Sequence, residues 1–167
     1  VFKHKGSAFY ISDKIRDKYN SEFGLNGETI YLISDIERRE FKEIDKENPV
    51  ITYCGNIRLG RNRSLADIGK ALFEINPDYK LQIYSSERDK KYIITKYSLS
   101  TKAADAIASG AQILAYGDSD CGVIGYLSSV GCAVMCTDKN TELLKEKISN
   151  LINDSDLQKR LYDTSEK

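Results

Sequence analysis

Histidine is nearly absent from this chain: His4 is the only one among 167 residues. It lies in a polar terminal stretch and reads as a solvated side chain, which excludes Ser-His and Cys-His nucleophilic triads from this segment. No apolar run approaches the roughly 20 residues that a membrane span requires. The opening Val1-Phe-Lys-His4-Lys is charged and has no apolar stretch after it, so no signal peptide is expected. Charge of one sign is lacking as well. Lys plus Arg and Asp plus Glu both number 25, which gives no general reason to bind nucleic acid or an anionic membrane and makes any phosphate site local. Repeats, low-complexity tracts and polybasic tails do not occur. Four cysteines fall at 54, 121, 132 and 136, without the paired close spacing of a zinc site. Cys54, Cys132 and Cys136 lie in or beside apolar stretches and are expected to be small core residues of a reducing compartment. Cys121 stands in a loop between Asp120 and Gly122, with no neighbouring base to make it a nucleophile.

What is present is the material of a globular core. Aliphatic, aromatic and cysteine residues make up 41% of the chain, and the length suits a single domain. Short β-rich runs alternate with helical periodicity, which predicts an α/β layered fold with a mainly parallel sheet. The expected strands are Ser7 to Ile11, Thr29 to Ile33, Val50 to Cys54, Leu81 to Tyr84, Gln112 to Tyr116 and Ala133 to Cys136. Ile15, Tyr19 and Phe23 fall one turn apart on one face of a helix beginning near Ser12. Leu65, Ile68, Leu72 and Ile75 mark a second helix. A third follows Asn140 as its cap, with Leu144, Ile148, Leu151 and Ile152 inward. A last one begins at Ser155, whose pairing with Gln158 has the form of a capping box. The charged run Asp35 to Asn48 lacks an apolar stripe and reads as a connection.

The segment Tyr97-Ser-Leu-Ser-Thr-Lys102-Ala-Ala-Asp105-Ala-Ile-Ala-Ser-Gly110-Ala-Gln-Ile-Leu-Ala-Tyr-Gly117 reads as a helix running into a buried strand. Ser98, Ser100 and Thr101 offer caps, Ala103 to Ala108 propagate the helix, and Gly110 can end it in a left-handed conformation. A helix start carries unpaired N–H groups and about half a positive charge, so with the hydroxyls and Lys102 it could cradle a diphosphate. An ordinary capped, buried helix fits the same residues.

This segment is similar to the donor-binding segment of GT-B glycosyltransferases, especially the retaining enzymes grouped as family four. Ile51-Thr-Tyr-Cys-Gly55-Asn-Ile-Arg-Leu-Gly-Arg61-Asn-Arg-Ser-Leu65 resembles the strand, glycine turn, basic residue and helix that open the family's C-terminal domain. Leu81-Gln-Ile-Tyr84 resembles the next strand, and Tyr10-Ile-Ser12 through Phe23-Gly24 the interdomain segment. The resemblance implies a Rossmann-like three-layer sandwich with a mainly parallel sheet. Residues 1–34 would form the interdomain segment and the end of the acceptor half, and 35–167 the nucleotide-sugar donor domain. Only thirteen residues separate Tyr84 from Ser98, where the family places a helix and two strands in about twice the space.

Within that resemblance each residue has an implied role. Arg61 matches the family's lysine that neutralises the diphosphate, and with Lys102 it is the catalytic candidate, stabilising the leaving group. Gly55 and Asn56 would let backbone approach a phosphate; the family's arginine after the glycine is Asn56 here, so Arg58 or Arg63 would substitute. Ser98, Ser100 and Thr101 would orient the phosphates. Asp105 aligns with the second acidic residue of the Glu-x7-Glu pattern, which contacts the ribose, while the first falls at Tyr97. The implied substrate is a nucleoside diphosphate sugar, UDP-sugar favoured, passed to a sugar or lipid-linked hydroxyl acceptor held by an N-terminal domain outside this chain, as in capsular polysaccharide synthesis. No cofactor and no metal are implied; Asp118-Ser-Asp120 reads as a turn. The expected location is cytoplasmic, with room for peripheral membrane association of the complete enzyme. From the alternating pattern alone, a non-catalytic Rossmann-like or flavodoxin-like interaction module is equally permitted.

Overall fold

A computed structural model describes residues 8–31, 33–55, 57, 60–85 and 101–166. The elements in chain order are β1 (Phe9–Tyr10), α1 (Asp13–Phe23), β2 (Glu28–Thr29), β3 (Val50–Cys54), α2 (Arg61–Ile75), β4 (Lys80–Tyr84), α3 (Thr101–Ala108), β5 (Ile113–Tyr116), α4 (Gly122–Val130), β6 (Ala133–Cys136), α5 (Thr141–Asn153) and α6 (Ser155–Thr164). The fold is mixed α/β, with six helices and three parallel strand pairs among the described residues: β1 with β2, β3 with β4, and β5 with β6. No described helix is long and apolar enough to cross a membrane.

Alternation along β5 and β6 sends side chains to two different cores, as a strand pair buried on both faces requires. Leu114 and Cys136 pack with Leu72, Leu144, Ile148 and Ile152, so α2 and α5 cover that face. Ala115 and Ala133 pack with Ile124 and Leu127 of α4 on the other. Ile51 of β3 and Leu81 of β4, partners in register, join the first core. Val50, Thr52 and Cys54 point the other way and are exposed. Cys54 therefore does not belong to the core, contrary to expectation, because the period of two puts it on the face of Val50 and Thr52. Cys132 and Cys136 are buried as expected, and burial raises both thiols above the ordinary range.

α5 follows its sequence signals closely. Asn140 accepts from the N–H groups of Glu142 and Leu143, and Leu144, Ile148, Leu151 and Ile152 are all buried. α6 begins at Ser155, yet the expected capping box does not form. Asp154 is the cap instead, accepting from Leu157 N–H at 2.8 Å. Gln158 turns inward, fully buried: its carboxamide donates to the carbonyls of Leu151 and Ile152 and accepts from Ile44 N–H. Three backbone groups with no other partner here outbid a helix cap.

The first three elements form a small β-α-β unit. Ser12 caps α1 by accepting from Ile15 N–H, and Gly24 closes it with φ 61°. The stripe of Ile15, Tyr19 and Phe23 lies on one face as expected, yet no residue of α1 is buried, because two-residue strands are too short to cover it. The rings of Tyr10, Tyr19 and Phe23 pack in series, each tilted against the next. The expected strands Ser7 to Ile11 and Thr29 to Ile33 shrink to two residues each. Helix α4 has no counterpart among the expected helices: two glycines and three β-branched residues in GVIGYLSSV argue against it locally, and burial of Ile124 and Leu127 against β5 and β6 overrides them.

Candidate functional site

The connection β3–α2 starts with the ladder still running. Gly55 N–H donates to Tyr84 carbonyl at 2.9 Å, so this amide is committed to the sheet. A Cβ on Gly55 would stand 3.0 Å from the Tyr53 hydroxyl, which leaves a side chain there little room. Gly60 caps α2 in the left-handed region, φ 82°, with no side-chain capping bond. Arg61 is the first residue of the helix and half-buried; Arg63 follows in the same turn and is exposed. No acidic residue stands in that first turn. Cations at the positive end of a helix dipole are unfavourable by about 0.3–1 kcal/mol each.

Tyr116, at the carboxyl end of β5, donates its hydroxyl to the Asp67 carboxylate in the second turn of α2 at 3.0 Å. Burial, then the Asp67 bond, pushes its phenol up to about 12. This bond ties α2, the helix that follows β3, to the carboxyl end of β5. Nothing in the sequence singles the pair out, since Tyr116 there reads only as the last apolar residue of a strand.

α3 reaches the same strand from the other side. Gly110, φ 73°, follows the end of α3, and Ile107 packs against the Ala115 core. Thr101 is the first residue of α3. One helical turn brings Lys102 Nζ to 3.6 Å from Asp105 Oδ2. Asp105 Oδ1 accepts from Ser34 Oγ at 3.0 Å, a partner from the connection that sequence reading did not foresee.

Arg61 and the Lys102–Asp105 pair thus belong to two crossovers, and Gly55 to the first of them. Asn56, Ser98 and Ser100 lie outside the described residues, as do Arg58 and Tyr97. Asp118 forms a turn, its carboxylate accepting from Asp120 N–H at 2.9 Å. Cys121 begins α4 as a cap without a side-chain bond. Its loop is tied to α1, where Lys14 donates to the carbonyl of Asp120 at 3.1 Å. No protein-family model matches this chain, and no curated protein matches it.

Proposed function

We propose that the chain is the nucleotide-sugar donor-binding domain of a GT-B glycosyltransferase, a Rossmann-like three-layer sandwich that forms half of an enzyme moving a sugar to a hydroxyl acceptor in surface polysaccharide synthesis. The observation that carries the reading is the first turn of α2, which places Arg61 and Arg63 at the positive end of a 15-residue helix. Two guanidinium groups beside the N–H groups of a helix start suit a diphosphate. Burial of β5 and β6 on both faces supports the three-layer architecture. The Tyr116–Asp67 bond supports a common rim for the β3 and β5 ends, where open parallel sheets take ligands.

In this reading Arg61 and Lys102 neutralise charge that develops on the departing diphosphate, and this is the domain's catalytic contribution. Gly55 keeps the strand end free of a side chain. Thr101 with Ser98, Ser100 and Asn56 orients the phosphates, and Asp105 receives the ribose. Titration calorimetry of UDP, GDP and ADP against the wild type, Arg61→Ala and Lys102→Ala tests it. Each substitution is expected to weaken the tightest nucleotide about tenfold, the effect of losing one shielded charge-assisted bond. Equal, negligible binding by all three proteins, with folded circular dichroism spectra, would overturn the reading.

One observation bears equally on the other reading, a non-catalytic interaction module. Phe9, Phe23, Ile30 and Ile33 are all more than half exposed, Ile33 at 95%. A GT-B enzyme would cover that face with its acceptor half; an interaction module would leave it for a partner.

A further inference from the structure

We infer that Ser34 is a positioning residue for Asp105, setting that carboxylate to discriminate a ribose diol from a deoxygenated sugar; this rests on the donor-domain reading. The Ser34 hydroxyl has one proton to give. Ile36 N–H approaches its oxygen at 3.3 Å, so the lone pair on that side is taken and the proton turns to Asp105 Oδ1, 3.0 Å away. On the other carboxylate oxygen stands the Lys102 ammonium, at 3.6 Å from Oδ2. The carboxylate is therefore held at both oxygens, from two different segments of the chain.

A carboxylate oxygen accepts two hydrogen bonds, so the Ser34 bond leaves one site on Oδ1, and the ion pair at 3.6 Å leaves Oδ2 open to a donor. Two acceptor sites on a fixed carboxylate suit two adjacent hydroxyl groups. Asp105 is short, and an ungripped aspartate would spend rotamer freedom to meet a diol. Ser34 belongs to a connection with no helix or strand of its own, and its hydroxyl bonds 71 positions along the chain. Packing does not require it, since the residue is only half-buried.

The test compares UDP, GDP and ADP with their 2′,3′-dideoxy counterparts by titration calorimetry, on the wild type, Ser34→Ala, Ser34→Thr and Asp105→Asn. The wild type is expected to prefer the ribose form by about tenfold or more, and Ser34→Ala by about threefold or less, with the affinity for the dideoxy form unchanged. Ser34→Thr keeps a hydroxyl and is expected to restore the preference. Asp105→Asn removes the charge and is expected to lose the preference even if Ser34→Ala fails to fold. A wild type that binds but shows no preference, or a Ser34→Ala protein that keeps it or loses affinity equally for both forms, would overturn the inference alone. A wild type that binds none of the three nucleotides would overturn the donor reading as well.

Discussion

A glutamine carboxamide can be taken wholly out of water only when each of its atoms finds a partner, and Gln158 finds three backbone groups: Ile44 N–H and the carbonyls of Leu151 and Ile152. It fastens the connection before β3 to the junction of α5 and α6. Gln158→Ala is expected to cost about 3 kcal/mol in chemical denaturation, from a cavity and three orphaned groups. Tyr116 acts at the same scale with a pH signature. Its folded pKa of about 12 lies above the ordinary 10, so the native state keeps a proton that the unfolded chain gives up. That stabilisation is complete below pH 10 and is lost as pH rises toward 12. Tyr116→Phe should flatten this alkaline limb in thermal melts measured across that range. Neither role was legible in the residues: Gln158 sits where a capping-box partner belongs, and only distant backbone tells it otherwise.

At the scale of elements, helix boundaries marked by local chemistry were legible, and those set by distant packing were not. Asn140 and the 144-148-151-152 stripe specify α5 from its own sequence. The interior of α4 looks unhelical until β5 and β6 stand beside it. The ends of α3 and α6 are bound together by Arg38, which also escaped the sequence. Its guanidinium donates to Tyr162 carbonyl at 2.6 Å and to Ser165 carbonyl at 3.3 Å, reaches Ile107 carbonyl at 3.5 Å, and lies 4.2 Å above the Tyr162 ring. A cation among helix C-terminal carbonyls is favoured by the dipole, whereas the charged stretch around it gave only a connection. Gly110 stands in the same corner. A Cβ there would fall 2.7 Å from Tyr162 Cε2, and the backbone is left-handed, so Gly110→Ala is expected to lose about 1–3 kcal/mol in thermal unfolding. Combined with Tyr162→Ala, the added cost of the methyl should fall toward the backbone part alone.

For the molecule as a whole, the distribution of buried side chains predicts unequal opening. The cores around Leu72, Leu144, Ile148 and around Ala115, Ile124, Leu127 hold β5, β6 and α5, while α1 buries no residue. Amide hydrogen exchange should therefore protect β5, β6 and α5 longest and release α1, β1 and β2 well before global unfolding. What secures that first unit is polar: Asp13 accepts from Arg16, Thr29 and Tyr31, and the Tyr31 ring stacks on Tyr126 of α4 at 5.9 Å. The Tyr31 and Thr29 hydroxyls, ahead of the Arg16 charge, hold the Asp13 carboxyl below its usual range, so this anchor is present above pH 3.8 and fails as acid protonates it. The exposed face of β3 has a practical outcome. Cys54 presents a thiol to water one position before Gly55, while Cys132 and Cys136 are sealed away. In a Cys121→Ser background, a maleimide dye would attach at that one place, and its emission would register whatever molecule settles at the neighbouring strand end.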